Sequence, residues 1–197
     1  MKKLKSEISK YKPTAKTDPM EMLGNTIPPH SGNAEVAVLG SIINSSSSLL
    51  KIIDFIKPEV FYNKDHIIIY RTMLELHRQN IDIELITLTE EMQKDQTLNK
   101  VGGSYYLSVL SAKIPTSANI MNYAMYVYER YIKRCLIAYA GKLIIDSYDT
   151  KIDVLDQLIN AEIDLNGIIN LRNIDYMQNH EVESITADKD FKEEYDF

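Results

Sequence analysis

Cysteine occurs once in the 197 residues, at Cys135, and tryptophan not at all. A lone thiol excludes an intrachain disulfide and any multi-cysteine zinc site, and it fits a reducing compartment. Glycine is scarce too, at positions 24, 32, 40, 102, 103, 141 and 167. A P-loop needs two glycines five positions apart, the second followed by Lys and then Ser or Thr. A dinucleotide fingerprint needs glycines two apart. Neither spacing occurs, so the usual backbone cradles for phosphate are missing. The chain is not expected to be an NTPase or a nicotinamide-dependent enzyme by itself, and no cofactor is expected. Positive charge is also short: 22 Lys and Arg stand against 28 Asp and Glu, a net charge of −6. That balance argues against a dedicated duplex-DNA binder. No apolar run approaches the ~20 residues of a membrane span. Charged residues follow Met1-Lys2-Lys3 where a signal peptide needs an apolar stretch. The composition predicts a soluble, cytoplasmic protein with no membrane partner.

What is present is helical periodicity between two charged ends. Residues 1–19 hold six lysines against Glu7 and Asp18, and residues 174–197 hold eight acids against Lys189 and Lys192. Neither end shows a sustained apolar period, so both are expected to be mobile. Between them, Ser31 is placed to cap a helix with apolar positions Ala34, Val38, Ile42 and Ile43, and Glu35 lies near its positive end. Ser45 to Ser48 predict a break, with Ser48 capping a short helix over 49–56 that Pro58 stops. A third helix is predicted near 65–79, with Ile69, Met73 and Leu76 as its stripe. Ile81, Ile83 and Leu85 alternate with Asp82 and Glu84, read here as an extended link. Thr87 with Glu90 then forms a capping box for a helix ending near Asp95. Gly102-Gly103 predicts a turn before a helix with Tyr106, Leu107 and Leu110, ended by Pro115.

From Ser117 or Asn119 one long helix is predicted to about Ser147, roughly 40–45 Å at ~1.5 Å per residue. One stripe runs Ile120, Ala124, Val127, Tyr131, Cys135, Ala138; a second runs Ile132, Leu136, Tyr139, Leu143. After Asp149-Thr150-Lys151 a shorter helix carries Ile152, Leu155, Ile159 and Ile163 on one face. The fold class is all-α: a small globular helical bundle followed by a long helical hairpin. The divisions are a mobile basic arm (1–26), a globular subdomain (27–114), the hairpin (115–168) and an acidic linker or tail (169–197).

No catalytic constellation emerges. The histidines at 30, 66, 77 and 180 have no HExxH pattern or cysteine partner, and His66 and His77 lie about three turns apart on one helix, too far to share a metal. No metal site is expected. Five of the thirteen tyrosines crowd the long helix. With two apolar stripes on each arm, the hairpin has more apolar surface than one internal contact covers. The expected self-association surface is Tyr128, Tyr131, Cys135, Tyr139, Ile152, Leu155 and Ile159.

Five blocks in order carry a family resemblance. They are Ile27-Pro28-Pro29-His30-Ser31 with Ala34-Glu35 and Val38-Leu39-Gly40; Phe61-Tyr62 with His66 and Ile69-Tyr70; Leu85-Ile86-Thr87-Leu88 with Glu90-Glu91; Val101-Gly102-Gly103 with Tyr106-Leu107; and Pro115-Thr116-Ser117-Ala118-Asn119-Ile120 with Tyr123-Ala124, Val127 and Glu129-Arg130. Together they resemble the N-terminal domain of DnaB-type replicative DNA helicases. Glu84 departs from the pattern, where the family more often has Asp. The resemblance implies an all-helical domain whose hairpins pair between subunits into a collar on the helicase ring. It implies as partners a second copy of the domain and a primase or helicase loader. DNA would be met only through an ATPase domain that this sequence lacks. Two other readings follow from the same residues: a freestanding copy that regulates a helicase ring or competes for primase, and a DNA-binding accessory that uses the Lys-rich arm.

Overall fold

The computed structural model describes residues 26–114 and 116–172. The basic arm short of Thr26, Pro115, His180 and the acidic stretch from residue 173 lie outside the described residues. Helices dominate, in the order α1 (Gly32–Asn44), α2 (Lys64–Arg78), α3 (Leu85–Lys94), α4 (Gly103–Ala112), α5 (Ile120–Tyr148) and α6 (Val154–Arg172), and no strand occurs among the described residues.

Helix α1 is the centre of the bundle. Ala37 through Ile43 are all buried, so the helix is covered on every side, as an apolar helix in the middle of a core must be. It packs against α4 and α5. Ser31 caps it as expected, its hydroxyl accepting from Ala34 N at 3.4 Å. On α2, Ile69, Tyr70, Met73 and Leu76 are buried. Asn63, whose side chain accepts from Asp65 N at 2.8 Å, caps its start. Asn80 ends it in the left-handed conformation at φ 57°, a helix stop that asparagine tolerates. Tyr70 reaches across to donate to the Ile56 carbonyl at 2.9 Å, and burial pushes its pKa well above the usual tyrosine value.

Two local expectations change. The short helix predicted over 49–56 is instead a 3₁₀ turn over Ser46–Lys51, with Ser48 buried inside it. The serine hydroxyls are engaged elsewhere: Ser45 Oγ meets Ser47 Oγ, and Ser46 Oγ accepts from Ile83 N at 3.1 Å. Such bonds compete with a regular helix. Helix α3 begins one turn earlier than predicted. Its capping box pairs Glu84 with Thr87, not Thr87 with Glu90, and Thr87 Oγ1 accepts from Glu84 N at 3.0 Å. The link before it is extended as expected: Ile83 is buried in the core while Ile81 stays partly exposed.

The long helix belongs to both parts of the molecule. Ile120, Ala124, Val127 and Tyr128 are core residues of the bundle, and the later turns form the hairpin with α6. The turn between the arms is built on aspartates: Asp149 Oδ1 accepts from Lys151 N, and Asp153 Oδ1 from Leu155 N. Ile152 therefore sits in the turn before α6 and not on its face. Helix α6 runs on through Arg172, and the Leu171 carbonyl accepts from Tyr128 Oη at 2.8 Å. The returning arm is thus pinned at its far end to the bundle.

Candidate self-association surface

The hairpin is held by a few polar contacts along its seam. Tyr139 donates to the Ala161 carbonyl at 3.1 Å, Gln157 Nε2 donates to Ser147 Oγ at 2.7 Å, and Lys142 pairs with Asp164 at 2.6 Å. Asp164 therefore faces α5. The opposite side of α6 carries Leu155 at 66% exposure, Leu158 at 62%, Ile159 at 56% and Ile163 at 62%. Steps of three (155 to 158) and four (155 to 159, 159 to 163) place them on one broad arc of the helix. Values that high on four large apolar residues mark surface that the other described residues leave uncovered.

The seven residues predicted for the surface divide. Leu155 and Ile159 lie on this arc, and Ile152 is at its edge in the turn. Tyr131, Cys135 and Tyr139 on α5 are half-buried, with the Tyr139 hydroxyl spent on the seam. Burial and a hydrogen bond with Cys135 push the Tyr131 pKa up to about 12, so its hydroxyl stays protonated. Tyr128 is withdrawn from the surface: 4% exposed, it packs edge-on against Phe55 and belongs to the chain's own core. A count of stripes does not tell which side of α5 the bundle occupies.

Two clusters brace the molecule, one inside the bundle and one between bundle and hairpin, and neither is visible as a unit in the sequence. The first is the buried carboxylate of Glu35. It accepts from Tyr62 N at 2.7 Å, Asn63 N at 3.2 Å and His66 Nδ1 at 2.6 Å, while His66 Nε2 meets the Tyr106 hydroxyl at 2.7 Å. Glu35 keeps its expected place in the first turn of α1, and its carboxylate also joins α1 to the start of α2 and to α4. The usable signal is a carboxylate set between Ala34 and Ala37-Val38, since a buried Glu must be paired. The second cluster is Arg134 on α5. Its guanidinium donates to the Pro29 carbonyl at 3.0 Å and to the Val60 carbonyl at 2.6 Å, and it lies near the faces of Tyr62 and Tyr131. Tyr62 in turn stacks on His30. Burial lowers the Arg134 pKa, and the Glu35 charge works against that shift. A lysine supplies one point charge and cannot reach both carbonyls in a fork. Arg134→Lys should therefore cost about 1 kcal/mol, the net worth of one lost hydrogen bond. Urea denaturation followed by circular dichroism measures it, and an unchanged midpoint would contradict the clamp.

No group of three or more His, Cys, Asp or Glu side chains among the described residues could hold a metal ion, and no described helix is long and apolar enough to cross a membrane. What the bundle and hairpin resemble is decided by comparison with known proteins. The family model for the DnaB-like helicase N terminal domain matches residues 27–129. The chain belongs to this family. The replicative DNA helicase DnaC of Bacillus subtilis is 35% identical over 159 residues, covering 81% of this chain and 35% of that protein. Replicative DNA helicase DnaB of Geobacillus stearothermophilus is 35% identical over 140 residues, 71% of this chain and 31% of that protein. The chain thus spans about a third of the length of these curated relatives. The crystal structure of the N-terminal domain of DnaB helicase from Mycobacterium tuberculosis superposes with a TM-score of 0.67 at 25% identity, covering 72% of this chain and 99% of that one. A structure of a DnaB-like replicative helicase and its interactions with primase gives 0.60 at 23% identity, over 84% of this chain and 36% of that one, a likeness of fold alone.

The DnaB-like match contains Glu35, Tyr62, His66 and Tyr106, so the buried cluster lies wholly within the family domain. The match stops at Glu129, five residues before Arg134, whereas the alignment with the Bacillus protein covers more of the chain. The hairpin's exposed face on α6 lies beyond the residues matched by the family model.

Proposed function

We propose that this DnaB-like domain is the collar module of a replicative DNA helicase acting in cytoplasmic DNA replication. Its hairpin pairs with that of a second copy, and the assembled collar receives a primase or a helicase loader. ATP hydrolysis and contact with DNA belong to an ATPase domain, and the P-loop that hydrolysis needs is not among these 197 residues. The observation that carries the reading is the uncovered arc of Leu155, Leu158, Ile159 and Ile163 on the α6 side of the hairpin. Leaving such surface in water forfeits about 25 cal/mol per Å² of apolar area, and an isologous pair of hairpins is the simplest closed arrangement that recovers it. Relatives named as replicative helicases, and a fold neighbour solved with its interactions with primase, support the same reading.

Light scattering across micromolar concentrations, at low and at high salt, tests the pairing. The expected mass exceeds one chain at high salt, where apolar contacts persist and surface charge is screened. Leu155→Asp with Ile159→Asp should restore the monomer. Both side chains are largely exposed, so each change should move unfolding stability by no more than about 0.5 kcal/mol. A monomer at every concentration in both salts would overturn the pairing.

A further inference from the structure

The α6 arc is not purely apolar. Glu162 is exposed and lies within it, with Leu158 and Ile159 one turn before and Leu165 one turn after. It makes no ion pair among the described residues. Apart from its last residue, Arg172, the helix carries no lysine or arginine, and it adds Asp156 and Asp164. A partner that brings apolar side chains and a cation together can cover this face and pair Glu162 as well, which avoids the cost of burying that charge unpaired.

We propose that the face is a docking site for this chain's own Lys-rich arm. Leu4, Ile8 and Tyr11 recur at helical spacing among Lys2, Lys3, Lys5, Lys10 and Lys12. Three apolar positions are too few to predict a helix alone, but they are enough to lie along two turns of α6 with lysines on both flanks. Reach allows it. Pro29 is held against α5 by Arg134, and the chain between Tyr11 and Pro29 can span roughly 3.3 Å per residue. The 18 peptide steps from Tyr11 to Pro29 thus reach about 60 Å, more than the length of the 19-residue α6, about 28 Å. The arm's other electrostatic choice is the acidic stretch of 174–197. The α6 face offers an ordered helix with its apolar groups already aligned, which lowers the ordering cost of binding. A docked arm occupies the same arc that pairing needs, so the arm would hold the hairpin from a second copy until displaced. That regulatory consequence rests on the pairing; the docking itself does not.

The test replaces Ile8 in the full chain with a benzophenone amino acid and maps photo-cross-links by mass spectrometry in a mixture of light and ¹⁵N-labelled protein. Docking predicts single-isotope products joining the arm to residues 155–163, lost when Glu162→Lys is introduced and lost again in high salt. Products on residues 174–197 in place of α6, mixed-isotope products, or cross-links indifferent to Glu162→Lys would each overturn it. The cross-link reads docking alone and light scattering at high salt reads pairing alone, so the two proposals fail separately.

Discussion

Replacing Glu35 with alanine should destabilise the domain by roughly 3–5 kcal/mol, because it leaves three donors in the core without an acceptor, at about 1–3 kcal/mol each. Four groups depend on the carboxylate. Two are backbone N–H groups at Tyr62 and Asn63, one is the His66 ring, and the last is the Tyr106 hydroxyl held through His66. Glu35 and His66 are 1% and 2% exposed, so water cannot replace the lost acceptor without opening the core. A domain of ordinary stability, at about 5–15 kcal/mol, would lose much of its reserve. Glu35→Gln should fare little better, since its amide sets a donor against donors. His66→Phe keeps both backbone bonds and should cost less, about 1–3 kcal/mol. Urea unfolding ranks the three variants, with the slope checked to confirm that the transition stays two-state. A Glu35→Ala midpoint close to the parent would mean the cluster is not what joins α1, α2 and α4.

The cluster also marks where sequence reasoning runs out. The stripes on α1, α2 and α5 are legible because a helix that lines a core repeats its apolar residues at the helical period. Turn residues are legible too: Gly102 and Gly103 adopt φ of 93° and 73°, a conformation that glycine alone takes without strain. Glu35 and His66 are 31 residues apart and their meeting depends on how α1 crosses α2, which periodicity does not encode. The same limit separates Tyr128 from its neighbours on the predicted surface. Two apolar stripes say that a helix has two covered sides, but not that Phe55 takes one of them. Ile152 falls in the turn because Asp153, one residue later, is the better helix cap. The family resemblance reaches further than the periodicity, since its blocks include Glu35, His66 and Tyr106 without giving the reason they occur together.

Substituting three helix-interior glycines in turn should give opposite signs on one scale. Gly40 sits where α1 crosses α4, and a Cβ there would lie 2.3 Å from the Leu110 carbonyl oxygen. That atom is backbone, so it cannot swing away as a side chain would. The crossing is also clamped one turn further along α1: Asn44 Nδ2 donates to the Ser111 and Ile114 carbonyls at 3.0 and 2.7 Å. Gly40→Ala must therefore push α4 off α1 against those bonds, and its cost should approach the upper end of overpacking, about 3 kcal/mol. Gly141 on α5 and Gly167 on α6 have nothing within 4 Å of the point where a methyl group would stand. There the change to alanine removes only the glycine penalty of a helix interior, and each should stabilise by about 0.5–1 kcal/mol. Thermal unfolding of the three single variants reads the contrast directly. If Gly40→Ala melts with the parent, the helices are not in backbone contact at that crossing. If Gly141→Ala or Gly167→Ala destabilises by a comparable amount, the methyl meets something at those positions, and a second copy of the hairpin seated there would be the first thing to look for.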